Sequence, residues 1–373
     1  MNLEFHEYEP KKILNVHKHV DGGWFWDKYS AHPYVGCRHG CEFCYTRGGH
    51  YLGKRDPETF DTLIQVKTNA PVLLRKEIAR RPPDVISCGD WQLPAEEKYG
   101  LSRRMLEVVL EFGFPLLVIE RSPFLLRDLD LLREINKRSW AGVALSFSNV
   151  DPVLKNAFEP HSPGLESRLQ MMGKIAQAGI LVGMSLMPIL PVVGDDDAHL
   201  EAAVRAAKDH GASFVLAAGL TMDGAQAGRT LDAAKRLDPA LEAPWRKMYG
   251  WAEGGTPNYG PPPAYSLRLA RKVRELCDRN GLRDRIPRYT GAGPLAVNKQ
   301  IAERLFLKIH DLELEPAAEQ RIWTYRKAAW AVDECPESVA VIHASMGERG
   351  LRALSGIDPG IAKEIGEWLT PHP

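Results

Sequence analysis

Three cysteines, Cys37, Cys41 and Cys44, lie in one short loop with the spacing C-x3-C-x2-C. Thiolates this close together bind a shared metal ion or cluster, or they oxidise, and structural disulfides are uncommon in the reducing cytoplasm. A structural zinc ion usually takes four protein ligands, whereas a [4Fe–4S] cluster held by three cysteines leaves one iron open to a substrate or cofactor. The spacing therefore favours an iron–sulfur cluster. A zinc loop completed by His39, His50 or a more distant residue is the alternative.

The overall composition is that of an ordinary soluble globular protein. The 373 residues carry 48 basic and 48 acidic side chains, so the net charge is zero and only local charge can favour nucleic acid or membrane. The first residues do not form the basic and apolar regions of a secretory signal. No apolar run reaches the roughly 20 residues that span a bilayer. We therefore expect a cytoplasmic protein that makes no membrane contact.

Short apolar runs alternate with amphipathic stretches from about residue 31 to residue 220. The runs predict strands, and apolar residues at i, i+3 and i+4 in the stretches between them predict helices. This alternation is typical of βαβ units around a parallel sheet, and the units are too few for a closed eight-stranded barrel. The predicted strands are 32–36, 63–67, 84–88, 115–119, 142–147, 180–186 and 213–217, and the predicted helices are 72–80, 102–111, 125–137, 165–177 and 198–210.

Shifts in composition predict four regions along the chain. Residues 1–30 are interpreted as an N-terminal arm and residues 31–249 as the α/β barrel. Glycine and proline interrupt the pattern at 250–263, so residues 250–316 are interpreted as a linker followed by a basic helical segment. Residues 317–373 are then predicted to form a small all-α domain.

The basic segment runs from Ala264 to Lys308 and holds 11 basic and 4 acidic side chains, an excess of seven positive charges. This excess is larger than a solvated helix face needs, so it favours contact with a polyanion. The predicted contacts are Arg268, Arg271 and Lys272. A solvated helix that packs its apolar face inward is the alternative.

Near the C-terminus, residues 354–365 have the sequence LSGIDPGIAKEI, which predicts a helix, a glycine-rich turn and a second helix. Backbone N–H groups at the start of a helix bind phosphate without side-chain charge. The predicted phosphate contacts are Gly356, Ile357, Gly360 and Lys363. Residues 325–369 resemble the N-terminal domain of X-family DNA polymerases, which implies a helix-hairpin-helix that binds DNA. Because residues 317–373 carry six basic and eight acidic side chains, a protein-contact module is the alternative.

Several motifs accompany the cysteine loop between about residues 30 and 220. They are KTNA at 67–70, GDWQLPAE at 89–96, RDLDLL at 127–132, EP at 159–160, RL at 168–169 and PILP at 188–191. Together with the loop, they resemble the radical S-adenosylmethionine (SAM) superfamily, and within it the spore photoproduct lyase-related group. The resemblance implies an open (βα)6 barrel, with a [4Fe–4S] cluster on Cys37, Cys41 and Cys44 and with SAM on the open iron.

The resemblance also implies contacts to SAM. Phe43 precedes the third cysteine at the position that lies near the adenine in this superfamily. Gly89 and Asp90 occupy the place of the stretch that contacts the methionine amino group. Arg121 or Arg168 is expected to pair with the carboxylate, and Ser146 or Ser148 is expected to bond the ribose.

Two further residues resemble parts of the lyase's hydrogen relay. Cys88 falls at the strand end where the lyase carries the cysteine that returns a hydrogen atom to its product, and a buried packing cysteine is the alternative. Tyr45 matches one of two tyrosines that flank the third cluster cysteine. Phe43 replaces the other, and a phenylalanine has no O–H, so a relay through two tyrosines cannot operate in that form.

The sequence thus predicts a cytoplasmic radical SAM enzyme with a DNA-binding C-terminal domain, reduced by a partner such as flavodoxin or ferredoxin. The expected task is repair or modification of a nucleobase lesion. One alternative is a radical SAM enzyme that acts on RNA or protein, with the C-terminal domain as a docking module. The other is a non-enzymatic cluster or zinc protein that binds nucleic acid.

Overall fold

A computed structural model describes residues 3–315 and 319–370, which fall into two compact units. The first unit is assigned Met1–Val16 and Tyr29–Asp284, and the second His17–Lys28 and Arg285–Pro373. This division differs from the predicted boundaries, because the predicted arm is shared between the units and the basic segment is cut at residue 284. Residues 1–2, 316–318 and 371–373, which belong to the predicted arm, linker and C-terminal domain, lie outside the described residues.

The described residues form strands and helices in the alternating order that the sequence predicts. The strands are β1 (Glu4–Tyr8), β2 (Asn15–Val16), β3 (Tyr29–Ala31), β4 (Tyr34–Val35), β5 (Leu63–Lys67), β6 (Ile86–Cys88), β7 (Leu116–Glu120), β8 (Ala141–Phe147), β9 (Leu181–Ile189) and β10 (Phe214–Gly219). The α-helices are α1 (Gly49–Leu52), α2 (Ala70–Ile78), α3 (Ala95–Tyr99), α4 (Leu101–Phe112), α5 (Leu129–Arg138), α6 (Pro152–Phe158), α7 (Leu165–Gln177), α8 (Asp197–Asp209), α9 (Gly224–Leu237), α10 (Glu242–Met248), α11 (Pro263–Asn280), α12 (Ala296–Glu313), α13 (Glu319–Asp333), α14 (Val339–Arg352) and α15 (Pro359–Leu369). Short 3-10 helices occupy Tyr45–Arg47, Pro57–Thr59, Pro123–Asp128 and Pro239–Leu241.

The main sheet of the first unit has seven strands in the order β10-β9-β8-β7-β6-β3-β2. Strands β3, β6, β7, β8, β9 and β10 pair in parallel, and β2 closes one edge by antiparallel pairing with β3. Six parallel strands with helices between successive strands form an open (βα)6 barrel, as the sequence predicts. The carboxyl ends of parallel strands meet at one edge, where such folds place their ligands.

Two of the predicted strands lie outside the barrel sheet. The predicted strand 32–36 is shortened to β4, which pairs antiparallel with β5, and β1 pairs parallel with β5 in a separate three-stranded sheet. The first barrel strand is instead β3, which crosses the predicted boundary between the arm and the barrel. This strand is Tyr29-Ser30-Ala31 and follows the charged pair Asp27 and Lys28, so it stands outside any apolar run that a sequence pattern could detect.

The main core cluster packs the barrel sheet against its helices. It takes alternate residues of neighbouring strands, among them Ile86, Cys88 and Val118, together with helix residues such as Met105 and Val109. Because successive side chains of a strand point to opposite faces, the residue between Ile86 and Cys88 is directed toward the barrel interior. Helix α4 ends at Gly113, whose φ of 66° is a left-handed conformation that most other residues avoid.

The second unit is helical and is built around α12 to α15. Arg288 and Asp333 are both buried and form an ion pair with an N–O separation of 3.2 Å. Helix α14 is kinked at Gly347, and a turn at residues 353–358 joins it to α15. The helix–turn–helix outline predicted for this region is therefore present, and its assignment as a helix-hairpin-helix stays a prediction.

Among residues 3–315 and 319–370, no helix combines the length and the apolar composition needed to cross a membrane.

Candidate functional site

The cysteine loop follows β4 and is folded by its own backbone. The N–H groups of Gly40 and Cys44 donate to the carbonyl oxygens of Cys37 and Cys41 at 3.3 and 3.2 Å. Gly36, just before the loop, has φ of 95°, and a Cβ there would lie 2.9 Å from two carbonyl oxygens, so only glycine fits without strain. Hydrogen bonds inside the loop and its close approach to residues 60–63 therefore both shape it.

Two other elements fix the loop at the carboxyl edge of the barrel. Gln92, shortly after β6, donates to the Gly36 carbonyl at 3.0 Å and accepts the Arg38 N–H at 3.1 Å. From the opposite side, Gln226 and Thr230 of α9 donate to the carbonyl oxygens of the loop residues Phe43 and Glu42, at 3.3 and 3.0 Å. The cysteines thus lie where the parallel strands end, as the sequence predicts.

Each cysteine thiol has a separate polar neighbour. Arg121 Nη1 donates to Cys41 Sγ at 2.9 Å, Cys37 Sγ lies 3.4 Å from His39 Nδ1, and Cys44 Sγ lies 2.9 Å from Thr46 Oγ1. Burial raises the pKa of the Cys41 thiol to about 12 although Arg121 opposes the shift, and burial also raises the pKa of Cys37. The thiols of Cys37 and Cys41 are therefore protonated in the free protein, and metal or cluster binding must displace these protons.

The three cysteines are a donor set that suits an iron–sulfur cluster. Within the described residues, no three His, Cys, Asp or Glu side chains come close enough together to hold one ion. One zinc ion draws all its ligands to about 2.0–2.3 Å, whereas each cysteine of a four-iron cluster binds a different iron, so the thiolates stand wider apart. Of the two histidines considered for zinc, His39 is described and buried, and the side chain of His50 lies outside the described residues.

A buried carboxylate, Glu159, organises the basic residues beside the cysteines. Its Oε2 accepts from Arg121 Nη1 at 2.8 Å and from Arg168 Nη1 at 3.0 Å, and its Oε1 accepts from Ser148 Oγ at 2.5 Å. Although burial opposes ionisation, the two guanidinium groups hold the pKa of Glu159 below its usual value. Arg121 Nη1 therefore connects the cluster loop to Glu159, because it donates to both Cys41 Sγ and Glu159 Oε2.

Arg168 keeps unused hydrogen-bond donors inside the protein. Its side chain is fully buried, and its Nη1 is shared between Glu159 and the Ser146 carbonyl. Its Nε and Nη2 have no hydrogen-bond partner among the described residues. Burying a donor without a partner costs free energy. These atoms would be satisfied by an anionic ligand such as the carboxylate of SAM, so the site fits that cofactor.

The turn after β6 holds Gly89 and Asp90 in a constrained backbone. Gly89 has φ of 94°, and a Cβ there would lie 2.5 Å from the Trp91 ring. The Asp90 carboxylate accepts from the Gln92 N–H at 3.0 Å and from Gln92 Nε2 at 2.8 Å. Burial, followed by repulsion from Glu120, raises the pKa of Asp90 to about 7. A carboxyl group with a pKa near 7 can ionise and form an ion pair with an ammonium group. This agrees with the predicted contact between Asp90 and the amino group of SAM.

The two serines predicted for the ribose have different surroundings. Ser148 is buried and donates to Glu159, so its hydroxyl proton is already committed. Ser146 is half-buried near the end of β8, opposite Ser185 of β9. Ser146 is therefore the better placed of the two, and ribose binding stays a prediction for both.

The aromatic residues that flank Cys44 also differ from each other. Phe43 is 5% exposed and belongs to an apolar cluster that includes Leu190 and Met222, which follow β9 and β10. Tyr45 is 56% exposed, and its ring meets the edge of the Tyr51 ring at a centroid distance of 5.2 Å. The predicted adenine contact of Phe43 and the relay role of Tyr45 stay predictions.

Cys88 ends strand β6 as predicted, but its orientation counts against the role assigned to it. It is 2% exposed and lies in the core cluster that packs the sheet against the helices. The inward-facing residue at this point of β6 is Ser87, which the sequence analysis did not consider. Burial raises the pKa of the Cys88 thiol to about 12, so it keeps its S–H bond. A hydrogen donor would be expected on the inner face, so the donor role stays a hypothesis without structural support.

The basic residues predicted to contact a polyanion are largely engaged within the protein. Lys272 Nζ lies 2.8 Å from Asp197 Oδ2, and the Arg268 guanidinium lies 5.3 Å from the centre of the Tyr265 ring. Further along the segment, Arg274, Arg279, Arg288, Lys299 and Lys308 also have acidic partners. The excess charge of the segment is therefore not a free basic surface, which weakens the prediction for Arg268, Arg271 and Lys272.

The start of α15 is also less available to phosphate than predicted. Asp358 caps the helix by accepting the Ile361 N–H at 2.9 Å, and Pro359 at the first helical position has no N–H. Ile357 is buried, and a Cβ at Gly356 would lie 2.8 Å from Lys327 Cβ, so the glycine also serves packing against α13. The remaining predicted contacts, Gly360 and Lys363, are exposed, but a carboxylate stands at the same helix start.

Two residues that organise the site were not predicted from the sequence. Glu159 lies in the EP motif and Gln92 lies in the GDWQLPAE motif, but no role was expected for either. Both are fully buried. The available signal for Gln92 was its place in a motif that also holds Gly89 and Asp90, whereas the EP motif holds no other predicted site residue. The residues that each contacts lie on other elements of the fold.

The comparisons with known proteins agree with this geometry. No family model matches the chain. An uncharacterized protein of Mycobacterium tuberculosis is 30% identical over 283 residues, which cover 74% of this chain and 80% of that protein. The chain belongs to the same family as this mycobacterial protein. A radical SAM Nα-GlyT isomerase of Pseudomonas phage M6 is 25% identical over 197 residues, which cover 48% of this chain and 40% of the isomerase.

Among solved structures, a spore photoproduct lyase mutant with bound AdoMet and dinucleoside spore photoproduct superposes with a TM-score of 0.56. The match is 15% identical in sequence and covers 75% of this chain and 81% of the lyase. The fold of the chain is therefore similar to that of spore photoproduct lyase. That lyase structure contains AdoMet. In this chain the cysteine loop is suited to hold a [4Fe–4S] cluster, and the Arg168 donors are suited to the carboxylate of SAM.

Proposed function

We propose that the protein is a radical SAM enzyme that acts on a damaged or modified nucleobase in DNA. The observation that supports this most is the position of the three-cysteine loop at the carboxyl edge of an open (βα)6 barrel. There Arg121 donates a hydrogen bond to Cys41. This position is where barrels of this kind bind their ligands. The loop, the unpaired donors of Arg168 and the acid at Asp90 together provide for both cofactors.

When bound, the cluster and SAM supply a 5′-deoxyadenosyl radical that can remove a hydrogen atom from a substrate. The residues of the chain have the task of holding these groups and keeping water away. Cys37, Cys41 and Cys44 would bind the cluster, Arg168 the carboxylate of SAM, and Asp90 its amino group. The apolar cluster around Phe43 shields the loop on one side.

The choice of a nucleobase substrate rests on the likeness to spore photoproduct lyase, whose solved complex contains a dinucleoside photoproduct. Two features of this chain argue for a different course after hydrogen removal. Phe43 replaces a tyrosine of the lyase's relay, and Cys88 lies on the helix-facing side of its strand. We therefore propose a substrate of the same chemical class, with a different route for the final hydrogen atom.

A second candidate function is modification of a nucleobase rather than repair. The observation that favours it is the phage relative, which is named as an isomerase. An isomerisation returns the hydrogen atom from within the reaction and needs no separate donor. A chain without a well-placed donor thiol is compatible with that chemistry.

The proposal is tested with the anaerobically reconstituted protein, SAM and a reductant. The substrates are DNA irradiated to form thymine lesions, the same DNA without irradiation, and RNA of matched sequence. We expect a change in the mass of nucleosides recovered from irradiated DNA, together with loss of the lesion. Turnover of unirradiated DNA would favour modification instead, and turnover of RNA alone would contradict the assignment to DNA. A Cys37→Ala, Cys41→Ala and Cys44→Ala triple variant serves as the inactive control.

A further inference from the structure

A groove of about 620 Å³ lies on the first unit, lined by residues of helix α2 and its C-terminal extension and by residues of the segment that leads from β1 into β2. Half of its ten lining residues are basic, and all of these basic side chains are exposed. They are Lys11, Lys12, Lys76, Arg80 and Arg81. Since the whole chain has no net charge, a local concentration of this kind needs a physical reason.

The walls of the groove are fixed by contacts inside the unit. Ile13 is buried in the main core cluster, and the N–H of Leu14 donates to Glu77 Oε2 of α2 at 2.8 Å. Asn69, just before α2, donates to the Pro10 carbonyl at 3.2 Å. The segment that carries Lys11 and Lys12 is thus tied to the helix on both sides of the two lysines.

The charge of the groove is not neutralised by its own acid. Glu77 is the single acidic residue in the lining, and its two oxygens accept the N–H groups of Ile13 and Leu14. Among the described residues, none forms a hydrogen bond or ion pair with the side chains of Lys11, Lys12, Lys76 or Arg80. Five positive charges therefore face one negative charge.

Helix electrostatics explain only part of this arrangement. Arg80 and Arg81 follow the C-terminus of α2, where basic side chains are favoured by the helix dipole. Lys11 and Lys12 come from a different part of the chain, and the dipole gives no reason for their position. By contrast, Arg75 on the same helix is paired with Glu111.

We propose that this groove binds the sugar–phosphate backbone of a DNA strand. Exposed lysine and arginine side chains recognise phosphodiesters as charges, without reading sequence. Leu14, Val16 and Leu73 supply apolar surface in the same groove for the sugars. The groove thus offers the free basic surface that α11 and the start of α15 do not. The choice of DNA rests on the proposed function, but binding is measured without SAM cleavage, so the two proposals can fail separately.

The test measures binding of a fluorescently labelled, undamaged DNA strand by anisotropy, at low and at moderate salt. The groove variant is Lys11→Glu, Lys12→Glu and Arg80→Glu. The matched control is Arg268→Glu, Arg271→Glu and Arg279→Glu, which makes the same change of charge on the exposed face of α11. We expect the groove variant to bind at least about tenfold more weakly with a shallower salt dependence, and the control to bind within about twofold of the unchanged protein.

A second variant tests whether charge repulsion or misfolding, and not the loss of phosphate contacts, causes the weaker DNA binding. Lys11→Gln, Lys12→Gln and Arg80→Gln should also lose affinity while the urea midpoint stays unchanged. Equal binding by the groove variants and the unchanged protein would overturn the proposal, and so would an equal loss in the α11 control. Displacement of DNA by inorganic phosphate or ATP at equal phosphate concentration would assign the groove to a small phosphate ligand instead. Binding of an acidic flavodoxin in place of DNA would likewise overturn it.

Discussion

At the scale of single residues, the site depends on one buried carboxylate. Glu159 receives hydrogen bonds from Arg121, Arg168 and Ser148, and both it and Arg168 are fully buried. The cluster cysteines could be predicted because their chemistry is contained in residue type and spacing. The role of Glu159 could not, because its partners lie 38 residues before it and 9 residues after it, and only the fold brings them together.

Replacing Glu159 should therefore be costly for stability. In Glu159→Gln two guanidinium groups lose their shared counter-charge in a buried position, and breaking a buried pair in this way costs about 3–5 kcal/mol. The control is Glu111→Gln, whose exposed partnership with Arg75 should contribute less than about 1 kcal/mol. Urea denaturation of both variants measures the free energy of unfolding, and similar values for the two would contradict the importance given to the network.

Cys88 allows a direct test of the hydrogen-donor hypothesis. Because its thiol lies among the residues that pack the sheet on the helices, we expect Cys88→Ala to form 5′-deoxyadenosine and the normal product. It should lose about 1 kcal/mol of stability through the small cavity. The measurement is mass analysis of the product formed by each protein. If only Cys88→Ala gave a product quenched by another reductant, Cys88 would be the hydrogen donor, and the inference from the orientation of β6 would be wrong.

Asp90 should make stability depend on pH in a defined window. Its pKa rises from 3.8 in the unfolded chain to about 7 in the folded protein, mainly through burial. The folded state therefore keeps a proton that the unfolded state has already released, so this contribution to stability is lost as the pH rises from about 4 to about 7. In Asp90→Asn this loss should be absent. Urea denaturation at several pH values, without SAM, compares the slopes, and parallel curves would contradict the raised pKa.

At the scale of elements, the segments that carry a clear apolar pattern were predicted from the sequence. Helix α7 has the predicted bounds, and strands β6 to β10 lie within three residues of their predicted ends. The failures have a physical cause. Strand β3 follows two charged residues, Asp27 and Lys28, so no apolar run marks it, and β5 has the composition of a barrel strand but pairs with β1 and β4. Which sheet a strand joins is decided by tertiary packing, which a local pattern does not contain.

The start of α15 gives a test at this scale. Asp358→Ala removes the side chain that caps Ile361 N–H and should cost about 1 kcal/mol. Asp358→Asn keeps a capping oxygen and removes the charge, so its stability should stay close to that of the unchanged protein. Thermal or urea denaturation of the two variants decides the matter. An equal loss in both would show that the charge rather than the hydrogen bond holds the helix start.

At the scale of the whole molecule, both proposed binding sites belong to the same one of the two units. The cluster loop, its supporting residues and the basic groove all belong to the first unit. The helical second unit has its own buried ion pair between Arg288 and Asp333. The net charge of a segment was a poor guide to its surface, because ion pairing with residues elsewhere in the sequence cannot be read from a local count.

The central claim is that the three-cysteine loop holds a cluster at which SAM is cleaved. The most direct measurement combines iron content with the yield of 5′-deoxyadenosine after anaerobic reconstitution and reduction. The unchanged protein should bind about four irons and form 5′-deoxyadenosine from SAM. The Cys37→Ala, Cys41→Ala and Cys44→Ala variant should do neither, while Cys335→Ala, in the second unit, should do both. Iron retained by the triple variant, or a reduced and iron-loaded protein that leaves SAM intact, would contradict the account.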